Sequence, residues 1–307
     1  MKIIHIIPNL NKGGAERLCI DIAAEQQKCG HEAYVLTLKA SNEYIETSNE
    51  LTIISVKSTY SPSIISKSSI NIKDLQKVIN NINPAIIHSH LYEAELIAYH
   101  LKTTAAFYTH IHSKRKELIK QSIPSSKQNI IRFFERRKYC SLIKEKNVKF
   151  IAISNDCYQF VRNDLAVKVS NVKLLPNAIK FDTFKKKPVR KNYFDTKKIK
   201  LINIGRFLKF KNQTFLVDVL KYLTDNSAFN FHLTFLGDGP ELNAVQSRAS
   251  ELGLEEKVAF EGKVNNPEVY LKASDLYIHS SLSEAFGLVF IEAMAAGIPV
   301  VSTNGGG

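Results

Sequence analysis

The stretch Ser280-Ser281-Leu282-Ser283-Glu284-Ala285-Phe286-Gly287-Leu288-Val289-Phe290-Ile291-Glu292-Ala293-Met294-Ala295-Ala296-Gly297-Ile298-Pro299-Val300-Val301-Ser302-Thr303 decides how the rest of the chain is read. A loop holding Glu284 and Gly287 leads into a short helix carrying Glu292. Gly297 and Pro299 end that helix, and Val300-Val301 open a strand. Loop, helix and strand in this order form one unit of an α/β repeat. A loop carboxylate beside a helix N-terminus offers one ligand both acceptors and backbone N–H donors. A sugar joined to a diphosphate needs both kinds of partner.

Read outward, the same plan recurs. Apolar runs predict strands at 3–7, 33–38, 51–56, 85–89, 105–110, 150–154 and 172–175, with a helix at 15–29 behind the Gly13-Gly14 turn. The pattern restarts with strands at 200–204, 231–236, 258–261, 276–279 and 300–302 and helices at 212–223 and 241–252. Such alternation predicts an α/β fold with parallel sheets covered by helices. The expected organisation is a Rossmann-like domain over 1–180, a basic, Pro-containing linker over 181–198, and a second Rossmann-like domain over 199–307.

Composition supports this. A chain of 307 residues with 44% hydrophobic content can bury two cores. No stretch reaches the roughly 18 apolar residues of a membrane span, and the apolar run at 3–7 is too short for a signal peptide. Cys19, Cys29, Cys140 and Cys157 have no metal or disulfide spacing, so reduced thiols in the cytoplasm are expected. A net charge of +13, concentrated in 113–149 and 180–200, favours acidic partners such as nucleotide diphosphates or anionic membrane. No recognised nucleic-acid motif accompanies the charge, so no nucleic acid is expected.

The order of Glu284, Phe286, Gly287, Glu292, Ala293, Met294, Gly297, Pro299 and Val300 resembles the E-x7-E region of family 4 glycosyltransferases. The resemblance spans essentially the whole chain. It implies the GT-B fold, two Rossmann-like domains facing across a cleft, and a retaining transfer of sugar from a nucleotide diphosphate to an acceptor hydroxyl. No metal or other cofactor is implied. The donor, UDP- or GDP-linked, is a substrate, and a glycan or lipid-linked acceptor at the inner membrane face is implied as partner. Family chains continue past the point where this one stops, so a fragment with an incomplete second domain is expected. A further departure is Asn177-Ala178-Ile179-Lys180, where the family has Asn-Gly, then Val or Ile, then Asp.

The candidate loops at Gly13-Gly14, His110 to His112, Gly205 to Lys211 and Gly237 to Gly239 lie at the carboxyl ends of expected strands, where open α/β sheets bind ligands. After the strand at 200–204, Gly205 permits a sharp turn, Arg206 offers a planar fork for phosphate, and Lys211 a point charge. Lys209 reads as solvated. By resemblance, Arg206 and Lys211 hold the diphosphate, Gly237 and Gly239 lie near base and ribose, and Glu292 binds the ribose hydroxyls. Glu284, with Phe286, Gly287 and Leu288, holds the donor sugar. In the first domain, the small residues Gly13 and Gly14 let a ligand approach the backbone. His110 and His112 share one side of their strand by alternation. Resemblance assigns a sugar-facing histidine here, His112 before His110. His88 and His90 also end a strand, and no chemistry is assigned to them. A nucleotide-sugar epimerase of the same architecture, a catalytically impaired nucleotide-binding fragment and a basic nucleic-acid binder stay open as alternatives.

Overall fold

The computed structural model describes residues 1–44, 50–61, 69–120, 127–185 and 197–306. The chain divides into two units, Met1–Asn177 and Ala178–Gly307. The strands of the first are β1 (Lys2–Ile7), β2 (Glu32–Thr37), β3 (Thr52–Ser55), β4 (Thr59–Ser61), β5 (Ser69–Asn71), β6 (Ile86–His90), β7 (Ala106–Ile111), β8 (Lys149–Ala152) and β9 (Val172–Leu174). Seven of them form one sheet in the order β3-β2-β1-β6-β7-β8-β9, and every pair is parallel. The small antiparallel pair of β4 with β5 was not expected from the sequence.

In β1, residues 3 to 7 are all buried, as parallel strands covered on both faces require. His5 sits in the middle of that run, fully buried. Helix Gly14–Lys28 packs Cys19, Ile20 and Ala23 with Ile7, Ala33 and Val35. The chain leaves β1 toward β2, and β6 lies on the other side of β1. Connections therefore diverge between β1 and β6, the switch point where open sheets take ligands. Part of the basic segment at 113–149 is core rather than surface. Arg115 pairs with the fully buried Glu95, whose other oxygen accepts from Tyr139 Oη at 2.8 Å.

The second unit holds β10 (Lys198–Ile204), β11 (Asn230–Leu236), β12 (Val258–Phe260), β13 (Leu276–His279) and β14 (Val300–Ser302). They form an all-parallel sheet in the order β12-β11-β10-β13-β14, with its switch point between β10 and β13. Period-2 alternation builds both cores. Leu201, Leu233, Phe235 and Ile278 face one cluster, and Ile202, Leu236 and Tyr277 face the other.

The second cluster includes Phe184. Residues Phe181–Phe184, which the composition places in the linker, instead form a short helical turn that buries Phe184 in the second unit. Residues 186–196 of the expected linker lie outside the described residues, and Lys198 already belongs to the first strand of the second unit.

Candidate functional site

In the second unit, three strand ends are stitched together by backbone. Gly205 N–H donates to Leu236 O, Phe207 N–H to Asp238 O, and Gly237 N–H to Gly262 O at 2.7 Å. Glycine is required at two of these positions. A Cβ on Gly237 would stand 2.1 Å from Gly205 O, and one on Gly239 2.3 Å from Phe207 O. Both also have positive φ, which side chains rarely adopt. The tight weave leaves Arg206 on the outside. Its side chain is exposed and makes no hydrogen bond or ion pair among the described residues, while its backbone carbonyl accepts from Gln213 Nε2 at 3.1 Å.

The loops after β10 and β13 are tied in turn. Ser280 Oγ donates to Lys211 O at 2.8 Å, and Leu282 N–H to Phe210 O at 2.8 Å. These bonds bring Lys211 Nζ onto Glu284 Oε2, and both side chains are mostly buried. The same oxygen lies 3.2 Å from His279 Nε2. His279 Nδ1 is 3.0 Å from Tyr277 Oη, and Tyr277 Oη donates to Ile204 O at 3.2 Å. Burial pushes the Glu284 carboxyl up. The His279 hydrogen bond and the Lys211 charge outweigh that push and hold it down at about 2. His279 is buried and carries no sequence motif, so the sequence reading missed it. Its one signal is a histidine at the end of an apolar strand.

Gly287 takes a positive φ and starts helix Leu288–Ala295, and the Phe290 ring meets His279 edge-on at 4.8 Å. Phe286, Leu288 and Glu292 are half-buried around that turn, and Glu292 lies on the helix as expected. Arg206, Lys211, Glu284 and the Gly287 turn thus share the carboxyl edge of the second sheet at its switch point.

The first unit holds a different cluster. The parallel register pairs His5 with His88 and His90 with His110. Period 2 then places all of these rings, with His112, on one face. Ring centroids are 5.0 Å apart for His5 and His88, 4.4 Å for His88 and His90, 5.5 Å for His90 and His110, and 4.7 Å for His110 and His112. Burial lowers the basicity of His5 and His110 to about 4. Burial, and then the neighbouring rings, take His88, His90 and His112 well below 6.5. All five are neutral imidazoles at neutral pH.

No metal-ligand spacing is visible in the sequence because the ligands come from separate strands. Ligand atoms of His88, His90 and His110 lie within 4.8 Å of one another, as do those of His5, Cys19 and His90. His90, common to both sets, already uses both ring nitrogens in hydrogen bonds, to His5 and to His112. Burial also raises the Cys19 thiol far above its ordinary value, so it stays protonated.

The Gly13-Gly14 turn follows β1, and Gly13 is extended rather than left-handed. Two of its donors are engaged within the unit. Lys12 N–H donates to Glu43 Oε2 at 2.7 Å, and Gly13 N–H to Tyr44 Oη at 2.9 Å. An anion approaching here would have to displace a carboxylate and a hydroxyl.

The family model for Glycosyltransferase Family 4 matches residues 12–183, more than half of the chain. The chain belongs to glycosyltransferase family 4. The model for Glycosyl transferases group 1 matches residues 184–307. This glycosyltransferase is 26% identical to the capsular polysaccharide biosynthesis glycosyltransferase CapH of Staphylococcus aureus, over 99% of this chain and 81% of that protein. It is 22% identical to the putative glycosyltransferase EpsF of Bacillus subtilis, over 99% of this chain and 79% of that one. Among solved structures, Anabaena HepE in complex with UDP-glucose aligns over 100% of this chain and 81% of its own, at TM-score 0.77 and 20% identity. WaaG, a glycosyltransferase of lipopolysaccharide biosynthesis, aligns over 99% of this chain and 81% of its own, at TM-score 0.70 and 16% identity. The two Rossmann-like units expected for the family are the fold that these structures share. Among the described residues, no helix is long and apolar enough to cross a membrane.

Proposed function

We propose that this glycosyltransferase moves a sugar from a nucleoside diphosphate to an acceptor hydroxyl with retention of configuration and without a metal. One observation carries the reading: an exposed, unpaired Arg206 and the Lys211–Glu284 pair share the switch point of the second sheet. In the free protein Glu284 holds Lys211. Donor binding turns the lysine to the diphosphate, where with Arg206 it meets the charge that builds on the leaving group. Glu284 keeps its hydrogen bond to His279 and is freed to accept from sugar hydroxyls. Gly205, Gly237 and Gly239 permit close approach of the nucleotide, Phe286 to Leu288 line the sugar, and Glu292 binds the ribose. In the first unit, His112 is assigned to the sugar and the Gly13-Gly14 turn to the donor. HepE, solved with UDP-glucose, and CapH, named for capsular polysaccharide, support a nucleotide-sugar donor and an acceptor in surface polysaccharide assembly.

Calorimetric titration with UDP and with GDP tests the donor half. One of them should bind, and Arg206→Ala should weaken it about 10-fold or more, the value of one charge-assisted hydrogen bond. Equal binding by the variant would remove Arg206 from the site. Product analysis without acceptor separates transfer from epimerisation.

The same reading places the enzyme at the cytoplasmic face of the membrane. Helix Lys127–Glu145 exposes Ile130, Phe133, Phe134 and Arg137, with Arg132 and Lys138 half-buried beside them and Arg136 tied to Asp164 O. Exposed apolar and basic side chains on one helix suit an anionic lipid surface, at about 1 kcal/mol per basic residue. Sedimentation with phosphatidylglycerol vesicles should show binding at low salt, reduced several-fold in a Phe133→Ser/Phe134→Ser variant. Equal recovery with neutral vesicles would refute the assignment.

A further inference from the structure

Three hydrogen bonds run in series through the first unit and end on His112. Gln26 Oε1 is 2.7 Å from His5 Nε2, His5 Nδ1 is 3.0 Å from His90 Nε2, and His90 Nδ1 is 3.1 Å from His112 Nε2. They link helix Gly14–Lys28 to β1, to the end of β6 and to the residue after β7. A neutral imidazole carries one proton, so it donates from one nitrogen and accepts at the other. Two linked rings cannot both present a proton, or both a lone pair, to the bond that they share. The direction of any one bond therefore sets all the others.

Gln26 sets that direction. Its carbonyl oxygen faces His5, so His5 donates from Nε2 and accepts at Nδ1. His90 must then donate from Nε2 and accept at Nδ1, and His112 must donate from Nε2. That leaves His112 Nδ1 as a bare lone pair on a half-buried ring, with no partner among the described residues. Turning the Gln26 amide end for end would reverse every proton in the line.

We propose that Gln26, His5 and His90 form a tautomer relay that holds His112 as its Nε2–H form and presents Nδ1 as an acceptor for a sugar hydroxyl. The proposal rests on the reading of His112 as sugar-facing. Gln26, His5 and His90 are positioning residues, since they act through His112. The relay also accounts for His5 and His90, buried histidines in a sheet where aliphatic residues would pack as well. A metal held by His88, His90 and His110 is the competing use of the cluster. It would have to break one of the two bonds that His90 makes.

Long-range proton–nitrogen correlation spectra of histidine-labelled protein read each tautomer directly. His5, His90 and His112 are expected as Nε2–H, with His112 assigned by its loss in His112→Ala. In Gln26→Leu, His112 should become a mixture of tautomers, and kcat should fall about 10-fold with little change in donor KM, the loss of one hydrogen bond's worth of orientation. Gln26→Glu, which only accepts, should keep the wild-type tautomer of His112. The pair Gln26→Leu/His112→Ala should be no slower than His112→Ala alone. Three results would overturn the relay: Nδ1–H at His112 in the wild type, an unchanged His112 tautomer in Gln26→Leu, or stoichiometric zinc binding that shifts His88, His90 and His110 together. The wild-type spectrum alone decides the first, whether or not the variants fold. Failure of the underlying reading looks different. His112→Ala would then transfer sugar at the wild-type rate even where the tautomers follow the relay, which removes the sugar-facing role and the proposal with it.

Discussion

Acidification from about pH 7.5 to about pH 5 should remove most of the folding stability of the first unit. The physical cause is the row of buried neutral rings. An unfolded chain lets each histidine take a proton near 6.5, whereas His5 and His110 resist until about 4 in the fold. Between those values the unfolded state binds more protons, so stability falls as the pH falls. For His5 and His110 the loss at pH 5 is about 2 kcal/mol each. His88, His90 and His112 act in the same direction. Against a domain stability of roughly 5–15 kcal/mol, this is a dominant effect. Glu284 in the second unit behaves differently. Its carboxyl is held at about 2, so its contribution is intact above the ordinary value of 4.5 and is lost only as the pH drops below that. Urea melts at the two pH values, resolved by hydrogen exchange within each unit, should therefore show the first unit failing first. A midpoint that does not move would mean that the rings are not held neutral. His110 offers a sharper control, because both of its ring nitrogens lack a hydrogen-bond partner among the described residues. A phenyl ring in its place gives up only a long interaction with the Asn177 side chain, so His110→Phe should reduce the acid loss by about 2 kcal/mol and cost little at neutral pH.

Lys211→Ala should lower kcat/KM for transfer by about 10²–10³, the usual loss when one preorganised group facing developing charge is removed. The lysine is set for this by its surroundings. Ser280 and the Phe210–Leu282 bond fix its backbone, and Glu284 holds its ammonium until a phosphate competes for it. The loss should fall mainly on kcat, because the charge on the departing diphosphate is greatest in the transition state. Lys211→Arg should recover only part of it, since a planar fork cannot take the place of a compact ammonium beside both Glu284 and a phosphate. Glu284 keeps His279 in either variant, so the fold should survive, which thermal melts check. A loss of less than about threefold with a correctly folded variant would place the leaving-group charge elsewhere.

The strands and most helices were legible because parallel α/β repeats write themselves as apolar runs closed by Gly, Pro and polar turns. Strands β13 and β14 match their sequence-based bounds residue for residue, and β10 and β11 differ by one or two residues at the start. The candidate loops were legible for the same reason. Gly205, Gly237 and Gly287 stand where a strand must turn toward the next element, and charged residues beside such turns have no core to enter. Phe181–Phe184 was misplaced because a basic flank hides one apolar anchor, Phe184, whose partners lie far along the chain.

Pairing across strands is what a linear reading lacks. His5, His88, His90 and His110 are ordinary singly, and only parallel register puts them on one face in contact. His279 likewise meets Glu284 because β13 ends beside the loop that folds back over it. The chain by itself therefore determined its class, its two α/β units and the loops that bear charge, since these follow from local periodicity and turn chemistry. The tertiary structure alone decided which carboxylate holds Lys211, and that five histidines share one buried face. Both depend on which strands lie side by side, and no interaction local in sequence encodes that.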